Sequence, residues 1–219
     1  MSAWSVLISP AEVAQVRGDE TFAELLTLGR MSNLVRAVLA GGFALKDQDG
    51  TAATRDRNAF FLLLTGILAE AIPALERSGK HFRHLAGWQE NVLPILRSLE
   101  VQRLRSEFLL PLRNQAVFHN DVEVSQTGLA SFHPPESQAI ARGSSDGFMD
   151  MYYPLSDMVA IVFIANCAGA DQNTMGWLAD ALSSSIELGK SICLAIDTVL
   201  GQALDERGFT WDDNDAPAG

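Results

Sequence analysis

The chain has 219 residues, of which 47% are hydrophobic and 20% are charged. This length and composition are typical of one globular domain with a sizeable core, and they exclude a disordered chain and a collagen-like fibre. The formal net charge of −11 argues against a protein that coats nucleic acid over its whole surface.

The sequence predicts no membrane-spanning helix and no secretion signal. Its longest nearly uncharged apolar run covers residues 59–69, which is well short of the roughly 20 residues that a bilayer span needs. The N-terminus lacks the basic segment that begins a signal peptide. Cys167 and Cys193 lie in apolar stretches without metal-site spacing, so they are expected to be reduced thiols. We therefore expect a cytoplasmic protein without a membrane partner.

Two helix-start patterns lie near the N-terminus. Residues 9–12 (Ser-Pro-Ala-Glu) form a capping box with proline in the first turn, which predicts a short helix. Residues 21–24 (Thr-Phe-Ala-Glu) repeat the box and begin a run of apolar residues at helical spacing. Gly41 and Gly42 are predicted to end this second helix.

A long amphipathic helix is predicted from Ala52 to about Ser78. Its apolar residues recur at three- and four-residue intervals, and Pro73 is expected to kink its last turns. Residues 78–80 (Ser-Gly-Lys) are predicted to close it. Residues 47–50 (Asp-Gln-Asp-Gly) predict a turn before this helix. A calcium loop would need further oxygen ligands and a closing glutamate, which this stretch does not supply.

Prolines and glycines divide the middle of the chain. Pro94 and Pro111 each look like first-turn prolines, so helices are predicted over 94–109 and 111–120. Residues 121–154 are then rich in glycine and proline, which predicts an irregular insertion, with a small hairpin as one option.

Two further helices complete the predicted fold. One runs from Pro154 to about Gly169, and the other runs from Trp177 to about Glu206, where Gly208 stops it. No stable period-two pattern appears, so the fold class is all-α. We expect a single helical domain over residues 1–208 and an acidic flexible tail over 209–219.

Positive charge is concentrated in one part of this acidic chain. Between Arg77 and His119 there are seven Lys or Arg and three acidic residues, a net charge of +4, while the remainder carries −15. An anionic ligand is expected to bind in this window, with Lys80, Arg103 and Arg105 as candidate substrate-binding residues. The alternative is that basic and acidic faces simply alternate on solvated helices.

One motif in this window carries chemistry. Arg113 is followed directly by Asn114, and His119 comes after five intervening residues. This pattern resembles the R-x(4–6)-H signature of the HEPN superfamily of all-α proteins, in which the residue after the arginine is typically Asn, Asp or His. Residues 153–157 and the two helices after them also resemble abortive-infection proteins of the AbiU2-like group.

The resemblance implies a HEPN-like bundle whose catalytic members cleave RNA without a metal. It implies that Arg113 binds the scissile phosphate, that His119 moves the proton between the 2′-hydroxyl and the leaving oxygen, and that Asn114 orients either group. On an ideal helix, residues six apart are separated by about 9 Å along the axis and by about 120° around it, so one helix cannot easily aim both at one atom. In a twofold homodimer, the arginine of each subunit can approach the histidine of the other. The implied protein is a toxin or phage-defence effector that acts on RNA, with an antitoxin or another protein as a further partner.

Two other interpretations remain open at this point. The same three residues also suit a non-catalytic helical dimer that binds a nucleotide or a partner protein, with the motif capping helices or holding the seam. His81 and His84 suggest a metal-binding pair, yet no third ligand is suggested nearby and Arg83 would repel a cation. No metal and no other cofactor is expected.

Overall fold

The structure is a computed structural model that describes residues 3–5, 8–113, 122–133, 154–167, 174–209 and 212–214. Apart from one pair of three-residue strands, its regular elements are helices, which confirms the all-α class. In chain order they are β1 (Ala3–Ser5), α1 (Pro10–Gln15), α2 (Glu20–Ala44), α3 (Thr51–Phe82), the π-helical turn π1 (Trp88–Val92), α4 (Leu93–Arg97), α5 (Leu99–Leu104), the π-helical turn π2 (Arg105–Leu109), α6 (Leu110–Leu112), α7 (Val122–Ser131), α8 (Pro154–Cys167), α9 (Thr174–Glu206) and β2 (Asp212–Asn214).

Capping residues fix where α1 and α2 begin. The Glu12 amide donates to the Ser9 hydroxyl at 3.3 Å, and the Ser9 amide donates to the Glu12 carboxylate at 2.7 Å, which confirms the predicted capping box. In α2 the Phe22 amide donates to the carboxylate of Asp19 at 3.0 Å. The predicted box at residues 21–24 is therefore wrong, because an earlier aspartate, a stronger N-cap than threonine, already starts the helix.

The core of the bundle is formed mainly by α2, α3 and α9, each of which packs against the other two. α2 runs antiparallel to α3, since Thr21 lies beside His81 while Gly41 lies beside Phe60. Cys193 of α9 is a buried free thiol, as expected. Large side chains with almost no exposed surface come from these helices and from π1: Leu28, Val35, Leu68, Leu75, Trp88, Ile192 and Ile196.

The composition of α3 resembles that of a membrane span. From Ala52 to Phe82 this helix is long and apolar enough to cross a membrane by length and composition, with a mean hydropathy of 1.7 in its most apolar window. Half of that window is buried inside the bundle. Part of the apolar surface of α3 therefore packs in the core, and the cytoplasmic location stays a prediction.

Glycines that were expected to end helices lie inside them. α2 continues through Gly41 and Gly42, and α3 continues through Gly79. A Cβ atom at Gly41 would lie 2.5 Å from the Phe60 ring, and one at Gly79 would lie 2.8 Å from the Trp88 ring. The predicted helix ends are wrong because these glycines make room for large neighbouring rings in a closely packed core.

Pro94 and Pro111 lie in the first turns of α4 and α6, as predicted, but neither proline begins a separate helix. Each follows a π turn, π1 or π2, in which an amide bonds to the carbonyl five residues back. The wider turn leaves room for the proline ring, which in an α-helix clashes with the carbonyl four residues earlier. The break comes instead at Ser98, where ψ is 122°. The predicted division into 94–109 and 111–120 is therefore wrong, and residues 114–120 lie outside the described part.

The predicted irregular insertion is helical at its start. α7 occupies Val122–Ser131 and packs against α8. A Cβ atom at Gly128 would lie 2.3 Å from the carbonyl oxygen of Val159, so this glycine lets the two helices touch and does not break α7. The prediction over 121–154 is corrected for these residues, and 134–153 lie outside the described part.

Gly208 ends α9 as predicted. It adopts a positive φ of 76°, and the Phe209 amide donates to the Leu204 carbonyl at 3.1 Å, as in a Schellman motif. Phe209 then lies against Phe22, with ring centroids 6.3 Å apart. Beyond it, β2 pairs antiparallel with β1. The expected acidic flexible tail, 209–219, thus contains a residue packed on α2 and a paired strand.

Candidate functional site

Arg113, the first residue of the motif, directly follows α6. Its guanidinium forms an ion pair with the carboxylate of Glu70 in α3, at 2.5 Å between Nη2 and Oε1. The Arg113 side chain is 39% exposed, so an anion in solvent can reach it. Asn114 and His119 lie outside the described residues, and the proximity of the three side chains stays a prediction.

The helical stretch before Arg113 is attached to α3. Arg105 in π2 forms an ion pair with Glu76 of α3 at 2.9 Å. The pair between Arg113 and Glu70 provides a second attachment. Apolar side chains bury the contact surface of this stretch, namely Phe108, Leu109 and Leu112. The backbone that presents Arg113 is therefore anchored on the central helix.

The other two candidate binding residues also contact carboxylates. Arg103 pairs with Glu107 at 2.8 Å, and Lys80 pairs with Glu20 at the start of α2 at 3.0 Å. The hydrogen bond and positive charge of Lys80 hold the pKa of the Glu20 carboxyl below its usual range. Lys80, Arg103 and Arg105 thus bind carboxylates of three different elements and no common group.

These ion pairs neutralise much of the positive window. The carboxylates already occupy the guanidinium and ammonium groups that a phosphate would use. Ion pairs between exposed side chains contribute at most about 1 kcal/mol, so a phosphate group can compete with them. A phosphate that binds Lys80, Arg103, Arg105 or Arg113 therefore has to displace a carboxylate.

His81 and His84 contact different helices. Nδ1 of His81 lies 3.0 Å from Oγ1 of Thr21 in α2, and Nε2 of His84 lies 3.0 Å from a carboxylate oxygen of Glu206 in α9. Within the described ranges, no group of three His, Cys, Asp or Glu is arranged to hold a metal ion. His81 thus links α3 to α2, and His84, just after the end of α3, contacts α9.

Sequence reasoning missed Glu70 and Glu76. Glu70 directly follows the apolar run of residues 59–69, where a charge on a core helix is unusual, and this is the signal that was present. Their arginine partners lie far along the chain, beyond the three- and four-residue spacings at which helical pairs are recognised.

No protein-family model matches the chain, and comparisons with curated proteins and with solved structures give no match. The all-α character of the described residues is consistent with the HEPN superfamily without identifying it. The resemblance therefore rests on the sequence motif.

Proposed function

We propose that the chain is a metal-independent endoribonuclease of the HEPN type that acts as a homodimer. Arg113, Asn114 and His119 form its catalytic motif, and Lys80, Arg103 and Arg105 supply further positive charge for RNA. The observation that supports the proposal best is the anchored and accessible guanidinium of Arg113. A cation held at the start of the motif suits a scissile phosphate.

The chemistry of the three side chains fits cleavage by the neighbouring 2′-hydroxyl. The guanidinium of Arg113 stays charged and offers parallel N–H donors to two phosphate oxygens. An imidazole can both accept and donate a proton near neutral pH, so His119 takes the proton of the attacking 2′-hydroxyl and then gives it to the leaving 5′-oxygen. The products are a 2′,3′-cyclic phosphate and a 5′-hydroxyl end. Asn114 orients the phosphate or the imidazole.

A homodimer completes this site. Since side chains six residues apart on a helix diverge by about 120°, Arg113 of one subunit meets the partner's His119 across a twofold axis. Isologous dimers are the commonest protein assemblies. The acidic chain suits cleavage of exposed RNA loops in a small cleft better than coating of long RNA. We propose a cytoplasmic toxin or phage-defence effector that an antitoxin or another protein restrains.

The experiment is an RNA cleavage assay in EDTA. The purified protein should cleave RNA and leave 2′,3′-cyclic phosphate ends. His119→Ala should abolish cleavage without lowering Tm, whereas His133→Ala, which changes an exposed histidine after α7, should leave cleavage unchanged. Cleavage that persists in His119→Ala contradicts the proposal.

A non-catalytic helical dimer is the second candidate. The carboxylate partners of Lys80, Arg103, Arg105 and Arg113 favour it, because basic residues paired within the subunit also serve structure alone. Arg113→Ala and His119→Ala should then weaken the dimer while RNA stays intact. Sedimentation velocity tests this candidate, and an unchanged dimer in both variants argues against it.

A further inference from the structure

An apolar cavity of about 320 Å³ opens between α2, α3 and α9. Arg113 and the other described candidate site residues do not line it. Its size falls within the range of small-molecule sites, which begins near 300 Å³. Aromatic and aliphatic side chains form most of its wall, namely Leu39, Phe43, Phe60, Phe61, Leu64 and Ile186.

The charged side chains in this lining are both basic. Lys46 follows the C-terminal end of α2, Arg57 lies near the start of α3, and none of the described lining residues is acidic. Nη1 of Arg57 donates to the carbonyl oxygen of Gln48 at 3.1 Å and to those of Leu45 and Lys46 at 3.4 Å. The Arg57 side chain is therefore fixed against the end of α2. Lys46 also lines the cavity, and it is exposed to solvent.

We propose that this cavity binds an aliphatic carboxylate of medium chain length. The chain lies against the aromatic wall, and the carboxylate binds the ammonium of Lys46. If each non-hydrogen atom takes roughly 30 Å³, the volume of one water molecule in the liquid, the cavity has room for about ten such atoms. An apolar wall whose described lining holds two basic residues and no acidic one complements a single acyl chain with an anionic head, and it disfavours a cationic amphiphile. This inference does not depend on RNA cleavage.

Gly42 offers a way to fill the cavity without disturbing the fold. It lines the cavity, and a Cβ atom there would meet only Cβ of Phe60, at an ordinary contact distance of 3.9 Å. Gly42→Leu therefore puts a side chain into open space, and it replaces a helical glycine by a better helix former. Lys46→Gln removes the charge of this lining residue and leaves the apolar wall intact.

The test is isothermal titration calorimetry of the full chain with single-chain amphiphiles below their micelle concentrations. Carboxylates should bind saturably at one site, about fourfold more tightly for each added methylene, from hexanoate to decanoate. Tetradecanoate should gain nothing further because the cavity is full. Decanol should bind up to about fivefold more weakly than decanoate, since it lacks the charge-assisted contact with an exposed lysine.

The variants separate this site from adventitious binding. Gly42→Leu should abolish decanoate binding, and Lys46→Gln should weaken it up to about fivefold, to the level of decanol. Arg97→Gln, an exposed charge on α4 outside the lining, should bind as the wild type does. The proposal is overturned if decyltrimethylammonium binds as tightly as decanoate, if uptake does not saturate, or if folded Gly42→Leu still binds. If Gly42→Leu does not fold, the decanoate affinity of Lys46→Gln is the test, and an unchanged affinity overturns the proposal.

Discussion

The guanidinium of Arg113 lies against the carboxylate of Glu70, 2.5 Å from Nη2 to Oε1. The motif arginine of the proposed nuclease is thus paired to the central helix α3. Both side chains are more than a third exposed, at 39% and 51%, so the pair contributes at most about 1 kcal/mol to stability. A phosphate that binds Arg113 has to compete with Glu70.

Glu70→Gln is therefore expected to strengthen RNA binding. The amide keeps the size of the carboxylate but loses its charge, so the gain should be up to about fivefold, the equivalent of an exposed ion pair. Fluorescence anisotropy in a His119→Ala background measures binding without cleavage. Glu206→Gln, which removes a carboxylate beside His84, is the matched control. An equal gain in both variants would show a general charge effect and contradict a specific role of Arg113.

Ser78→Ala is expected to destabilise the fold by about 1–3 kcal/mol. The buried indole N–H of Trp88 donates to Oγ of Ser78 at 3.2 Å, and the substitution leaves that donor without its acceptor. Urea denaturation gives the free energy of unfolding. Ser183→Ala, at an exposed position of α9, should change it by less than about 0.5 kcal/mol. Equal effects of the two substitutions would contradict this assignment.

Two glycines should respond in opposite directions to alanine. Gly128→Ala forces a Cβ atom to within 2.3 Å of the Val159 carbonyl oxygen, and such overpacking costs about 1–3 kcal/mol. Gly29→Ala meets only Leu200, at 3.8 Å, so it should stabilise α2 by about 0.5–1 kcal/mol through helix propensity. Thermal and urea unfolding of both variants check this. A stabilised Gly128→Ala would contradict the contact between α7 and α8.

The fold was predictable where the cause is local. The capping box at Ser9, the apolar period of α3 and the stop at Gly208 depend on neighbouring residues, and the structure confirms them. Gly41 and Gly128 were misread because the rings and carbonyls that touch them belong to other helices. Tertiary packing overrode their local propensity.

The candidate site was predictable only in its chemistry. Arg113 and His119 were recognisable as residue types at a spacing, and the structure places Arg113 directly after α6, on a helical stretch anchored to α3. Glu70 was not recognisable, because its pairing depends on the packing of α6 against α3. Similarly, Pro111 was read as a helix start, whereas the π turn before it lets the helix continue.

Acid is expected to weaken the contact between Asp19, at the start of α2, and Arg207, just after α9. A hydrogen bond from Arg207, and then one from the Phe22 amide, lowers the pKa of Asp19 to about 2. Since the unfolded value is about 3.9, this contribution to stability is present above pH 4 and is lost as the pH falls toward 2. Asp19→Asn keeps a capping side chain but loses the charge. Wild type and Asp19→Asn should differ in urea stability at pH 7 and converge near pH 2, and a constant difference would contradict this account.

Subunit complementation tests the composite site most directly. Arg113→Ala and His119→Ala should each be inactive alone, while a mixture in which subunits exchange should regain about a quarter of the wild-type RNA cleavage. Half of its dimers are then heterodimers, and each keeps one intact site of two. If native mass spectrometry shows heterodimers and the mixture remains inactive, Arg113 and the partner's His119 do not act together, which contradicts the account.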